Sequence, residues 1–212
     1  MTPFVSAFPV SPPPLIVLDY LGVLVFAATG ALAAARKGHD LIAFAFFATV
    51  TGIGGGSIRD LLIGAPVFWV QDSRYFAVCL AAAGAVWLVG PRPRLFGALL
   101  WFDAVGLVAY AIVGAAKAGL WGASPLVCVA MGAITATVGG IIRDVLANEP
   151  SVLLRREIAI TPAIAAASLF VLLGELGAPS WVATLAGVSV GFGLRGGALL
   201  WGWSLPAFRS SR

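Results

Sequence analysis

The sequence predicts an all-α integral membrane protein: seven transmembrane helices, built as two inverted three-helix repeats with a seventh helix added. Three observations carry that prediction. Mean hydropathy is +1.01 and 10% of the 212 residues are charged, against about 25% in soluble domains. The apolar residues gather into seven runs near bilayer-crossing length. Residues 19–66 also align without gaps on residues 103–150.

Taken in order, residues 1–14 hold Pro3, Pro9, Pro12, Pro13 and Pro14 and predict a short extended arm. They have neither the basic start nor the uninterrupted apolar stretch of a cleaved signal peptide. The predicted spans are 15–35, 41–64, 74–90, 97–117, 124–147, 158–175 and 180–200. Charged, glycine- and proline-containing breaks separate them, beginning with Arg36-Lys37-Gly38-His39-Asp40. This divides the chain into the arm, a first repeat over 15–90, a second over 97–175, and a seventh helix with tail over 180–205.

Lysine and arginine set the expected orientation. One side collects Arg36, Lys37, Arg92, Arg94, Arg155, Arg156, Arg195, Arg209 and Arg212; the other has Arg74 and Lys117. The positive-inside rule then puts the N-terminus outside and the C-terminus in the cytoplasm of a multi-pass protein of the cell (inner) membrane. Seven spans also place the ends on opposite sides.

The repeat is the strongest feature. Fifteen of 48 aligned positions are identical, among them Asp19 with Asp103, Thr51 with Thr135, Gly55-Gly56 with Gly139-Gly140, and Arg59-Asp60 with Arg143-Asp144. Composition alone gives about one in ten. Each copy holds three spans, an odd number, so the second enters the membrane the other way up. Broken, charged spans at matched positions in two halves point to a transport pathway.

Candidate pathway residues follow from that logic. Gly54, Gly55 and Gly56 interrupt span 2, and Gly139 and Gly140 interrupt span 5. Glycine runs weaken a helix, and carbonyls freed at membrane depth can replace part of a cation's hydration shell. Close helix packing is the plainer explanation. Thr51 and Thr135 offer hydroxyls to the pathway or to their own helix backbone.

Charges inside spans cost about 2.5–3.5 kcal/mol and take partners. Adjacent residues point about 100° apart, so Arg59 is expected to pair with Asp144 or Asp103, and Arg143 with Asp60 or Asp19. These pairs are either structural ties or, for Asp60 and Asp144, groups that touch a permeating cation. Asp19 and Asp103 fit a helix first turn or a pore. Lys117 fits snorkelling to the outer end of its span, or gating. Gly187 and Gly191 offer close packing in the last span.

Enzymatic chemistry is not expected. GIGGGS has no phosphate-loop lysine, and His39 is the single histidine, which removes a Ser-His-Asp set and a histidine metal cluster. Cys79 and Cys128 read as small buried hydrophobes. The basic residues are scattered, unlike a nucleic-acid face. No cofactor is implied.

The duplicated three-span unit, GGG-x-x-RD in span 2, GG-x-x-RD in span 5 and the seventh helix together resemble the prokaryotic trimeric intracellular cation (TRIC) channels. The resemblance covers about residues 15–205. It implies a homotrimer with one pore per protomer, lined by kinked spans 2 and 5 and passing K⁺ and, less selectively, Na⁺, with bound lipid a possible partner. The same bacterial family carries a glycine-transporter label, so a carrier for glycine or another small zwitterion is the alternative.

Overall fold

The computed structural model describes residues 13–90, 93–151, 158 and 160–204. The N-terminal arm up to residue 12 and Arg92, Arg155, Arg156, Arg209 and Arg212 lie outside the described residues. Among the described residues there are eight helices: α1 Pro13–Arg36, α2 Leu41–Leu62, α3 Phe68–Gln71, α4 Arg74–Val89, α5 Pro93–Leu120, α6 Pro125–Leu146, α7 Thr161–Glu175 and α8 Ser180–Trp201. Five contain 22-residue stretches long and apolar enough to cross a membrane. The other two apolar helices, α4 and α7, have 16 and 15 residues, below the roughly 20 needed for a full crossing.

Local chemistry explains the helix ends. The Asp40 carboxylate accepts from the Ala43 N–H at 2.8 Å and caps α2. Pro125 opens α6, and Pro162 lies in the first turn of α7, where no intrahelical donor is needed. The turns of the two halves match. Gly38 and Gly122 have φ of 69° and 78°, and Gly64 and Asn148 have 68° and 49°. Each pair is 84 residues apart, and Asn is the non-glycine residue that best tolerates this region.

The packing repeats as well. α1 lies along α2 as α5 lies along α6; α4 rests on α1 and α2 as α7 rests on α5 and α6. The halves meet where α1 touches α5 and α2 touches α6, and α8 adds to α7 and α5. α5 is the most enclosed of the five long spans.

The contacts across the junction are reciprocal. A methyl group on Gly55 would strike the Thr135 carbonyl, and one on Gly139 would strike the Thr51 carbonyl. A methyl on Gly22 would sit 2.6 Å from the Tyr110 ring and one on Gly106 3.1 Å from the Phe26 ring. Phe26 and Tyr110 themselves occupy matching positions and touch, with ring centroids 5.3 Å apart.

One expectation, the break at the glycines, is corrected here. α2 and α6 run unbroken through Gly54–Gly56 and Gly139–Gly140. The glycines serve close packing: an absent side chain lets one backbone settle on another, and the helical hydrogen bonds persist. Gly187 and Gly191 face inward too, against Ala166, Ile112 and Val108 of their own chain.

Gly55→Ala is expected to destabilise the folded protein by about 1–3 kcal/mol through overpacking at the crossing. Gly193→Ala, which meets nothing within 4 Å, is expected to be neutral or slightly stabilising. Thermal unfolding of the two purified variants checks the difference.

Candidate functional site: two buried ion clusters and their cavities

Helix α2 ends with Arg59 and Asp60 turned into the protein, 1% and 0% exposed. The Asp60 carboxylate accepts from Arg59 Nε at 2.8 Å, from the Phe68 backbone N–H at 2.9 Å and from Lys117 Nζ at 2.8 Å. The Phe68 ring, held there by α3, lies 5.8 Å from the Arg59 guanidinium carbon and 5.6 Å from Lys117 Nζ. A carboxylate removed from water needs this many donors to remain ionised without large cost.

The second cluster is centred on the guanidinium. Arg143 Nη1 donates to Asp103 at 2.6 Å and to Thr29 Oγ1 at 3.0 Å. Its Nε and Nη2 donate to Asp144 Oδ1 at 3.0 and 2.9 Å. Arg143, Asp103 and Asp144 are all buried. Thr29 comes from the first half, so this cluster also ties the halves together.

The expected partners are therefore wrong. Arg59 pairs with Asp60, and Arg143 with Asp103 and Asp144; neither arginine reaches an aspartate of the other half. The 100° between neighbours describes Cα–Cβ directions, but an arginine side chain is long enough to curl back onto the next carboxylate. Lys117 does not simply snorkel: its ammonium is bonded to buried Asp60 and crosses between the halves. Asp19 and Asp103 lie beyond the first turns of α1 and α5, so the dipole explanation fails for both.

The remaining candidates surround the crossing. Thr51 and Thr135 are fully buried. Thr135 Oγ1 donates to the Met131 carbonyl of its own helix at 2.6 Å, whereas Thr51 Oγ1 has no partner among the described residues. Gly54 sits beside Ile142, Gly56 against the Phe68 ring, and Gly140 near Arg143 Nη2.

Each cluster adjoins a cavity. One of about 260 Å³ is lined by Asp19, Phe68, Tyr75, Lys117 and apolar residues. The other, about 10 Å³, is lined by Asp103, Thr137 and Gly140 among apolar neighbours, room for one water. Matching aspartates thus line both. Among the described residues no group of three His, Cys, Asp or Glu could hold a metal.

Sequence reasoning missed several residues. Tyr75 donates to Asp19 at 2.8 Å, and Tyr110 donates to the Gly52 carbonyl at 2.7 Å. Arg195 counted as a cytoplasmic charge but is 2% exposed and donates to the Ile158 carbonyl at 2.9 Å. A lone arginine inside an apolar helix was the available signal. Outside the spans, the Arg74 guanidinium holds the Asp72 carboxyl well below the usual carboxylate range, and Asp72 accepts from Tyr20 at 2.9 Å.

A family model described as a glycine transporter matches residues 16–91 and again 100–175, the same 84-residue offset as the repeat. The chain is 38% identical to a UPF0126 membrane protein of Vibrio cholerae, over 92% of this chain and 82% of that protein. It is 35% identical to the UPF0126 inner membrane protein YadS of Escherichia coli, over 90% and 94%. The crystal structure of the TRIC trimeric intracellular cation channel orthologue from Rhodobacter sphaeroides superposes with a TM-score of 0.86 at 46% identity, covering 89% of this chain and 98% of that one. This chain belongs to the TRIC family. The unbroken α2 and α6, the glycine crossing and the two ion clusters are thus described in a TRIC-family membrane protein.

The corrected pairing is testable by double-mutant cycles. Arg143 and Asp103, changed singly and together, are expected to show a coupling of about 1–3 kcal/mol, and Arg59 with Asp144 about zero. Unfolding midpoints of the detergent-solubilised protein give both cycles.

Proposed function

We propose that this chain forms a homotrimeric channel for monovalent cations in the cell inner membrane, with one pore in each protomer. The carrying observation is the pair of cavities lined by matching aspartates, Asp19 and Asp103, in a chain whose α2 and α6 cross reciprocally. The likeness to the Rhodobacter TRIC channel supports the same reading. The pore passes between two inverted repeats, 15–90 and 97–175, with the seventh helix and tail over 180–205 outside it. Reciprocal contacts support inversion, because a two-fold relation is what makes residue 55 meet 135 while 139 meets 51.

In this reading Asp19 and Asp103 face the cation at the two mouths, and Asp60 and Asp144 lie further in. K⁺ passes and Na⁺ passes less selectively, with lipid around the trimer. The N-terminus lies outside and the C-terminus in the cytoplasm. Gly54–Gly56 and Gly139–Gly140 supply the backbone surface of α2 and α6 that must separate for ions to pass. Lys117, bonded to Asp60, holds the larger cavity shut from within.

Reversal potential in a planar bilayer under a KCl gradient tests the function. Current reversing near the K⁺ equilibrium potential is the expected result; silence at every voltage, with saturable glycine counterflow in vesicles, would replace the channel by a carrier. Lys117→Gln is expected to raise open probability. Losing a charge-assisted hydrogen bond of about 1.5 kcal/mol from the closed state shifts the open–closed ratio about tenfold. Single-channel dwell times measure it.

A further inference from the structure

We propose that Tyr75 is a positioning residue: it holds Asp19 away from Arg59, so that the Asp19 carboxyl group faces the larger cavity with no countercharge bonded to it and is available to attract cations. The role in conduction rests on the channel reading above; the hold on Asp19 does not. The two halves differ at this aspartate. Arg143 spends Nε and Nη2 on its sequence neighbour Asp144 and Nη1 on Asp103. The matching Arg59 spends Nε on its neighbour Asp60. Its Nη1 is buried with no hydrogen-bond partner among the described residues. Leaving a buried guanidinium N–H unsatisfied is costly, and in the other half the aspartate matching Asp19 relieves it.

Asp19 is engaged elsewhere. It accepts from Tyr75 Oη at 2.8 Å. The Tyr75 ring cannot readily swing away, because it stacks on Tyr20 at 4.3 Å and 6° and meets the Phe68 ring edge-on at 4.7 Å and 82°. Tyr20 is itself fastened to Asp72. The position 84 residues after Tyr75 is Ala159, which has no hydroxyl. In the half without the tyrosine, the aspartate goes to the arginine.

The difference decides what each mouth presents. A carboxylate held by a phenol has no countercharge bonded to it, whereas one bonded to a guanidinium has its field largely cancelled. Asp19 lines a cavity of about 260 Å³, room for several waters around a cation. Lys117 on the same wall is already bonded to Asp60, so it opposes that field less than a free ammonium. A narrow, low-dielectric opening concentrates the field of such a charge on incoming ions.

The test compares wild type, Tyr75→Phe, Asp19→Asn and the double variant as reconstituted channels. Tyr75→Phe keeps the ring and removes the donor. Unitary cation current entering from the Asp19 side is expected to fall about two- to five-fold in both single variants at low ionic strength. It should recover near 1 M KCl, where the Debye length is about 3 Å. The double variant should be no worse than Asp19→Asn alone. Equal currents at low salt, a deficit that persists at high salt, or additive losses would overturn the proposal. A structure of Tyr75→Phe gives the second readout: Asp19 bonded to Arg59 Nη1 is expected, and Asp19 unmoved would overturn the hold. Tyr75→Met serves if the phenylalanine variant does not fold. Should wild type pass no current, the conduction role falls with the channel reading, and the variant's structure still decides whether Tyr75 holds Asp19.

Discussion

A carboxylate shut away from water has no fallback partner, and Asp60 is fully buried at the end of a membrane-spanning helix. Its charge is tolerable because three donors from three elements converge on it: Arg59 from α2, the Phe68 N–H from α3 and Lys117 from α5. Removing one partner of such a cluster leaves an uncompensated charge, a loss of about 3–5 kcal/mol. Much of the surrounding geometry follows. α3 has to exist to present its N–H, α5 has to bring Lys117 close, and the loop between α2 and α3 has to fold back.

The clusters in turn depend on how closely the helices approach. Gly55 and Gly139 let α2 and α6 cross backbone on backbone, and Gly30 and Gly114 do the same between the first two helices of each half. Without an apolar driving force between helices in lipid, such close contacts and polar ties carry the association. The glycine crossing and the ion clusters are therefore complementary: one provides proximity, the other fixes register.

Much of this was legible in the chain. Hydropathy gave the class and most of the spans, and the ungapped 84-residue shift exposed the duplication that the family match and the packing repeat. The residues that matter, Gly55, Gly139, Thr51, Thr135 and the Arg-Asp pairs, stood out because they recur. What the sequence could not supply was side-chain reach. Arginine flexibility defeated a pairing argument based on helix angle, and glycine runs that weaken an isolated helix do not break one packed on both sides. α3 was hidden inside a break, because four residues carry no periodicity. Tyr75 was hidden because its meaning lies in its absence from the other half.

One donor to Asp60 is a main-chain group. Every substitution at residue 68 except proline keeps that N–H, so side-chain changes alone leave the Phe68 contact to Asp60 chemically available. Its position is set instead by the path from Asp60 to Phe68, including the left-handed turn at Gly64. The segment is therefore constrained in length rather than in spelling: a single inserted or deleted residue there would displace the donor, while many changes of residue type would pass unnoticed by the carboxylate.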